Sequence, residues 1–250
     1  MAALRTGLER RAERALERQL NFQRDKARAL AGNEADTVAR RKERSLEVRS
    51  KLESVRAIRE DDRVLEVGCG AHGLIFFFGA RDAVGVDPLA DHYAKLFPQW
   101  QNQARTIAAS GEKLPFPDSS FDIVLCDNVV DHALSPRKIL EEIARVLVPG
   151  GLFYFSVSVH HPFYHLAASV HAGWRALGIP FEITPFADHT VHLTRSAAPR
   201  LFDGLPFRML KEEDDIAETR RRPVQTRHPG DWLKLLLFKN ARYEAVALKE

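Results

Sequence analysis

The chain has 250 residues and a net charge of +3, with 45% hydrophobic and 28% charged residues. This composition favours a folded protein over a disordered one, and so small a charge does not by itself indicate nucleic-acid binding. No apolar run reaches the roughly 20 residues of a membrane helix, and charges from Arg5 onward interrupt any signal-peptide core. Two cysteines, Cys69 and Cys126, are too few for a cysteine-rich zinc module. We expect buried, reduced thiols and a cytoplasmic location.

Residues 1–60 carry 16 basic and 10 acidic residues, so the basic excess of the chain belongs to this segment. Its first half predicts a helix with one narrow apolar stripe, formed by Leu4, Leu8, Ala12, Leu16 and Leu20. After a break at 31–33, a second helix should present Val48, Leu52 and Val55 on one face. We interpret 1–60 as a helical extension that forms a lid over a domain spanning 61–250. The alternatives are solvated surface helices and a dock for anionic lipid or nucleic acid.

From Asp61 onward, short β-branched runs alternate with helical segments. Strands are predicted at Arg63–Gly68, Ala83–Asp87, Arg105–Ala108, Phe121–Cys126 and Leu152–Val157, with helices at Pro88–Phe97 and Ser135–Leu147. The weaker C-terminal pattern predicts helices at Phe163–Leu177 and Ser196–Phe202, a loop at Lys211–Gly230 and a terminal strand at Ala241–Leu248. Such alternation is typical of an α/β fold, with a parallel sheet covered by helices on both faces.

A glycine-rich turn follows the first predicted strand. Gly68, Gly70 and Gly73 fit the dinucleotide-binding spacing, and Asp87 ends the next strand, where it could hold a ribose or cap a helix. Glu66, two residues before the first glycine, distinguishes between two candidate cofactors. A carboxylate there disfavours the pyrophosphate of a nicotinamide dinucleotide, but it suits the ammonium and sulfonium of S-adenosylmethionine.

Five short motifs occur in a fixed order: Leu65–Gly70, Gly85–Asp87, Glu112–Phe116, Ser120–Val124 and Arg145–Gly151. Together they resemble the class I S-adenosylmethionine-dependent methyltransferases, especially the type 11 branch that is similar to the ubiquinone/menaquinone methyltransferases. The resemblance covers roughly Asp61–Val157. It implies a Rossmann-like, seven-stranded, mostly parallel sheet with an antiparallel last strand, and S-adenosyl-L-methionine as the cofactor.

The resemblance also implies a set of cofactor-binding residues. The methionine part would meet Glu66, Gly68, Gly70, His72 and Gly73, and the ribose would meet Asp87 beside Pro88. The adenine would lie against Ser110, Gly111, Glu112 and Leu114, and the site would be closed by Asp127, Asn128 and Val129. Two departures from the family pattern stand out: two residues separate the second and third glycines, and Ser110 lies near a position that is often acidic. A side chain at Gly68 is expected to clash with the ligand or with the φ that the turn requires, whereas Gly111 should be more tolerant.

Three histidines are candidates for a general base at the carboxyl edge of the predicted sheet. His132 follows the fourth strand, and His160 and His161 follow the fifth. A base is required only if the methyl acceptor carries a proton of high pKa. His160 and His161 could also join His165, His189 and His192 in a metal site. The irregular spacing of these histidines disfavours such a site, and we predict no bound metal.

The predicted function is methyl transfer to a small-molecule, lipid or saccharide acceptor at O, N or C. Cys126-Asp127-Asn128-Val129 does not match the signature of methyltransferases that act on nucleic-acid bases, and no RNA-binding module precedes the domain, so nucleic acid is not expected. The enzyme alternative is an NAD(P)-dependent oxidoreductase. The non-enzyme alternative is a cofactor-binding partner protein whose basic helices dock on another chain or an anionic surface.

Overall fold

The computed structural model describes residues 7–30, 33–163, 193–221, 238 and 241–250. Its strands are β1 (Arg63–Val67), β2 (Asp82–Val86), β3 (Arg105–Ile107), β4 (Phe121–Asp127), β5 (Leu147–His160), β6 (Leu193–Thr194), β7 (Phe207–Asp214) and β8 (Ala241–Lys249). They form one sheet in the order β3-β2-β1-β4-β5-β8-β7, and the two-residue β6 pairs with the end of β5. Strands β1 to β5 are parallel, whereas β8 runs antiparallel to both β5 and β7. The predicted fold class and antiparallel last strand are confirmed.

The helices are α1 (Gly7–Leu30), α2 (Ala35–Glu53), α3 (Ala90–Leu96), α4 (Pro98–Gln101), α5 (Pro136–Val146) and α6 (Ile216–Arg221). Helix α5 begins as predicted, with Pro136 at its first position, although the Ser135 side chain makes no capping bond. Helices α1 and α2 are separate, as predicted, and residues 31–32 of the expected break lie outside the described residues. None of the described helices is both long and apolar enough to cross a bilayer.

Two apolar layers enclose the sheet because successive strand residues point to opposite faces. Leu65 and Val67 of β1 face a layer that includes Ile139 and Ile143 of α5. Val64 faces the other layer, which contains Val48 and Leu52 of α2, the aromatic side chains after β2, and a 3₁₀ turn at Leu74–Phe76. Helix α2 therefore lies across the domain itself, and Val48 and Leu52 are fully buried there.

The predicted loop at Lys211–Gly230 is wrong over its first part. Residues up to Asp214 belong to the edge strand β7, and α6 follows directly. The strand was missed because Lys211–Asp214 are all charged; an edge strand pairs on one side only and tolerates such residues. Strand β5 is longer than predicted at both ends. The rest of that loop and residues 164–177 of the predicted helix lie outside the described residues.

Candidate active site

The glycine turn, residues 68–73, lies where β1 and β2 end at the carboxyl edge of the sheet. Gly68 and Gly70 have φ of +73° and +55°, the left-handed region that favours glycine. The amides of Gly68 and Cys69 both donate to the Val86 carbonyl, at 2.7 and 3.1 Å. The turn is thereby fixed across the end of the neighbouring strand, at an edge where ligands bind in open α/β sheets.

Glu66 is buried directly beneath the glycine turn, with only 2% of its surface exposed. Its carboxylate accepts hydrogen bonds from the amides of Leu74, at 3.1 Å, and Ile75, at 2.8 Å. Burial outweighs these bonds and raises the pKa of Glu66 to about 7. The residue therefore anchors the turn, and it brings a titratable charge close to any ligand bound there.

Asp87 joins the end of β2 to the glycine turn. One carboxylate oxygen accepts from the Gly70 amide at 3.0 Å and the other from the Leu89 amide at 2.8 Å. The Leu89 bond shapes the entry to α3 without capping that helix, and the Gly70 bond holds the glycine turn. Burial raises the pKa of this carboxyl. A carboxylate can accept about four hydrogen bonds, so acceptor capacity remains for a ligand.

The glycines around the site differ in the atoms that an added Cβ would contact. A Cβ at Gly68 would lie 2.4 Å from Val129 Cγ2, and one at Gly111 would lie 2.7 Å from Val67 Cγ1. Packing therefore excludes a side chain at both glycines. At Gly68 the positive φ also disfavours one, as expected, whereas the expected tolerance of Gly111 is wrong. At Gly70 the nearest atoms to a Cβ are 4.0 Å away, so this side of the turn is open.

The segment after β3 is linked to the start of α5. Ser110 Oγ accepts from the Glu112 amide at 3.2 Å, and Glu112 in turn accepts from the Ser135 amide at 2.7 Å. The Leu114 amide donates to Glu142 at 2.8 Å, and Leu114 itself is buried. Ser110 is exposed, so its hydroxyl is accessible at this rim.

At the end of β4, Asn128 has a φ of +58°, which is uncommon for a residue other than glycine. Its side-chain oxygen accepts from the Ser158 amide at 3.0 Å and from the Ser158 hydroxyl at 2.7 Å, which holds the turn in place. Val129 then packs against Gly68. The structure thus brings the turn after β4 against the glycine turn.

His72, inside the glycine turn, is 8% exposed, and its ring centroid lies 4.8 Å from Phe97 and 5.2 Å from Trp100. Burial first, and then the charges of Lys26 and Arg41, lower the pKa of His72 to about 3. The imidazole is therefore neutral at ordinary pH.

The three histidine candidates differ in accessibility. His132 is about half exposed, and its Nε2 lies 3.8 Å from the buried carboxylate of Asp131. His160 is buried at the end of β5. His161 Nδ1 accepts from the Phe163 amide at 3.2 Å, which occupies that lone pair. The remaining members of the metal alternative, His165, His189 and His192, lie outside the described residues.

Sequence reasoning missed a buried network centred on Arg44 of α2. The guanidinium binds Asp127 at 3.3 Å, Glu244 of β8 at 2.7 Å, and the hydroxyl of Tyr154. Asp127 also accepts from the Ser156 hydroxyl at 2.6 Å. The only signal in the sequence was the position of Arg44 one turn before the apolar Val48, which does not distinguish a buried arginine from a solvated one.

Residues 65–155 match a family model described as a methyltransferase domain. This part of the chain is a class I methyltransferase domain. It spans β1 to most of β5 and holds all of the cofactor-site residues named above, but neither α1 nor α2. Cys69 and Cys126 are buried, free thiols within it, as expected.

Relatives of the methyltransferase domain carry related descriptions. A rat thiol S-methyltransferase, TMT1B, is 33% identical over 123 residues, which are 46% of this chain and 50% of that protein. The uncharacterized methyltransferase YcgJ of Bacillus subtilis is 36% identical over 101 residues, 38% of this chain and 40% of the relative. The chain therefore matches half or less of the length of these relatives.

Solved structures share the fold. The crystal structure of YcgJ aligns with a TM-score of 0.57 at 18% identity, covering 82% of this chain and 98% of that one. Geranyl diphosphate C-methyltransferase from Streptomyces coelicolor, in complex with S-adenosyl-L-homocysteine, aligns with a TM-score of 0.58 at 14% identity, covering 82% and 78%. At such low identity, this agreement concerns the fold alone.

Proposed function

We propose that the protein binds S-adenosyl-L-methionine at the glycine turn and transfers its methyl group to a small-molecule, lipid or saccharide acceptor. The observation that carries the proposal is the hydrogen bond from Gly70 to Asp87, which places a carboxylate at the rim of a left-handed glycine turn above the buried Glu66. The methyltransferase relatives support the same conclusion.

The residues present fit this cofactor. The open side of Gly70 lets a ligand approach the backbone, and Asp87 retains lone pairs for the two ribose hydroxyls. Glu66 brings negative charge to a place where a pyrophosphate would be repelled and an ammonium attracted. The dinucleotide alternative is disfavoured on the same ground.

When bound, S-adenosylmethionine supplies a methyl group already activated on a sulfonium, so the protein mainly positions and desolvates. Asp87 holds the ribose, and Ser110, Gly111, Glu112 and Leu114 flank the adenine. Asp127, Asn128 and Val129 close the site. Of the three histidines, His132 is the candidate for removing a proton from an acceptor, since it is exposed beside the turn after β4 and the buried Asp131 lies close to its Nε2.

Calorimetry with S-adenosylhomocysteine and with NAD tests the cofactor. We expect binding of the first and none of the second. Replacing Asp87 with Ala should weaken S-adenosylhomocysteine binding by about 2–3 kcal/mol, because charge-assisted hydrogen bonds to the ribose are lost. An unchanged dissociation constant in a folded variant would remove Asp87 from the site. NAD binding in place of S-adenosylhomocysteine would favour an oxidoreductase.

Incubation with cell extract and a labelled methyl donor tests the acceptor. Thiols and prenyl diphosphates belong in a first panel of pure compounds, because the relatives and the structural neighbours include enzymes described as acting on them. Label in a small-molecule or lipid fraction supports the proposal. Cofactor binding without turnover on any acceptor would favour the alternative of a cofactor-binding partner protein.

A further inference from the structure

The lengthened part of the glycine turn packs against the connection between β2 and β3. Ala71 and His72 stand between the second and third glycines of the turn, and both are buried. The centroid of the His72 ring lies 4.8 Å from that of Phe97 and 5.2 Å from that of Trp100. The rings of Phe97 and Trp100 are themselves stacked, with centroids 5.1 Å apart. The turn therefore rests on α4 and the residue before it.

Two side chains of α4 bind the backbone carbonyls of this turn. Trp100 Nε1 donates to the Ala71 carbonyl at 2.8 Å. Gln101 Nε2 donates to the same carbonyl at 3.0 Å and to the Gly70 carbonyl at 3.1 Å. Among the described residues, Gln101 is the only donor to the Gly70 carbonyl. A C=O and the next N–H point in opposite directions in a trans peptide, so Gln101 also sets the direction of the Ala71 and His72 amides.

Gly70 is thereby held at both of its backbone polar groups. Asp87 accepts from the Gly70 amide at 3.0 Å, and Gln101 donates to the Gly70 carbonyl. Asp87 begins the connection between β2 and β3, and Gln101 lies near its end, so one segment of the chain supplies both contacts. These contacts fix a residue that has a φ of +55° and an open outer side that a ligand can approach.

The chemistry of the Gln101 side chain indicates a role beyond packing. Gln101 is 3% exposed, and its Oε1 has no hydrogen-bond partner among the described residues. A buried polar atom without a partner lowers stability, and an apolar side chain of similar volume would avoid that cost. The two hydrogen bonds from Nε2, rather than the packing of the core, therefore account for an amide at this position.

We propose that Gln101 is a positioning residue for cofactor binding, which fixes the backbone of the glycine turn at Gly70 and Ala71 before the ligand arrives. The inference rests on the proposed function, in which the methionine part of the cofactor lies at this turn. Trp100 contributes chiefly by packing, because the Ala71 carbonyl that it binds has a second donor in Gln101. The two neighbours should therefore differ, Gln101 in its effect on binding and Trp100 in its effect on stability.

The variants Gln101→Met and Trp100→Phe separate these roles. Calorimetry with S-adenosylhomocysteine and with 5′-methylthioadenosine, which lacks the amino-acid end, measures binding, and urea denaturation measures stability. We expect Gln101→Met to bind S-adenosylhomocysteine about tenfold more weakly, through loss of both carbonyl bonds, and 5′-methylthioadenosine as the wild type does. Trp100→Phe should lower the urea midpoint further because it leaves a cavity, yet bind S-adenosylhomocysteine within about twofold of the wild type.

Gln103→Met is the matched control, because this exposed glutamine belongs to the same connection. If Gln101→Met binds S-adenosylhomocysteine as the control does, or weakens both nucleosides equally, Gln101 does not position the turn. If binding is lost in the same order as stability in the two α4 variants, both residues are merely structural and the inference is wrong. If the wild type binds neither nucleoside, the cofactor proposal itself fails, and the positioning role fails with it.

Discussion

Gly68 and Gly70 share a left-handed backbone but have opposite surroundings. A methyl group at Gly68 would collide with Val129, and overpacking of this kind typically costs about 1–3 kcal/mol. At Gly70 only the backbone penalty applies, about 1–2 kcal/mol. We therefore expect Gly68→Ala to lower the free energy of unfolding clearly more than Gly70→Ala, measured by urea denaturation.

Gly70→Ala should instead affect ligand binding more than it affects stability. Gly70→Ala places its methyl group on the open side of the turn, so S-adenosylhomocysteine should bind more weakly to a protein that is still well folded. Normal affinity in that variant would show that the ligand does not approach the turn from the Gly70 side. Equal stability of the two variants would contradict the packing at Val129.

Glu66 makes both stability and binding depend on pH. Its pKa is about 7 in the folded protein, above the ordinary value of 4.5, because burial disfavours the charged form. Between these two values the folded state holds a proton that the unfolded chain has released, so the contribution of Glu66 to stability falls as pH rises from about 4.5 to 7. Urea titrations at several pH values should show this slope in the wild type but not in Glu66→Gln.

The ammonium of S-adenosylhomocysteine favours the ionised form of Glu66, so binding below pH 7 should release a proton. Calorimetry in buffers of different ionisation enthalpy should detect about one proton released at pH 6 and none from this group at pH 8. Glu66→Gln should abolish the difference. Release that persists in this variant would assign the proton to another group.

At the scale of elements, α2 is held to the sheet by charge as well as by its apolar face. Arg44 lies between Asp127 and Glu244, and about a tenth of its side chain is exposed. Burial by itself disfavours the ionised form of Glu244 and would raise its pKa. The pKa of Glu244 is nevertheless lowered, because Lys51 and Arg44 bind its carboxylate. Through Arg44, helix α2 therefore also positions the carboxylate of Asp127 at the end of β4.

Replacing Arg44 with Met should destabilise the protein by about 3–5 kcal/mol, since two buried carboxylates lose their shared cation. Lys42→Met, an exposed change on the same helix, should shift the free energy of unfolding by less than about 0.5 kcal/mol. Thermal and urea unfolding measure both. A small effect for Arg44→Met would mean that water replaces the guanidinium, and that α2 is held by Val48 and Leu52 alone.

At the scale of the whole molecule, the two N-terminal helices are not equivalent. Val48 and Leu52 of α2 are fully buried against the sheet, whereas on α1 Leu20 is partly buried and Leu16 and Phe22 are exposed. Deletion of residues 1–30 should therefore leave a folded domain that binds S-adenosylhomocysteine more weakly and loses acceptor turnover. Deletion of residues 1–60 should abolish cooperative unfolding, because an apolar sheet face is uncovered.

The first deletion also tests the lid hypothesis. Acceptor turnover that survives it would reject the lid, and loss of salt-sensitive binding to anionic vesicles or nucleic acid would favour the docking alternative. A domain that does not fold without residues 1–30 would show that α1 is part of the fold.

The sequence predicted the sheet and the location of the site because both depend on local patterns. Alternating strands and helices dictate a parallel sheet, and its carboxyl edge gathers the residues that follow β1, β2 and β4. Edge strand β7 escaped prediction because its charged residues carry no hydrophobic period. The packing against Gly68 and Gly111 was not predicted, because the side chains that oppose them, Val129 and Val67, are remote in sequence or on another strand.

By itself, the sequence determined the fold class, the glycine turn and the identity of the carboxylates around it. Only the tertiary structure decided their surroundings: Glu66 is buried against the backbone of its own turn, and Arg44 lies between two carboxylates. The physical reason is that backbone preference and hydrophobic period are local, whereas burial, pKa and ion pairing depend on which distant elements meet. Those elements came together through packing of the two apolar layers on the sheet.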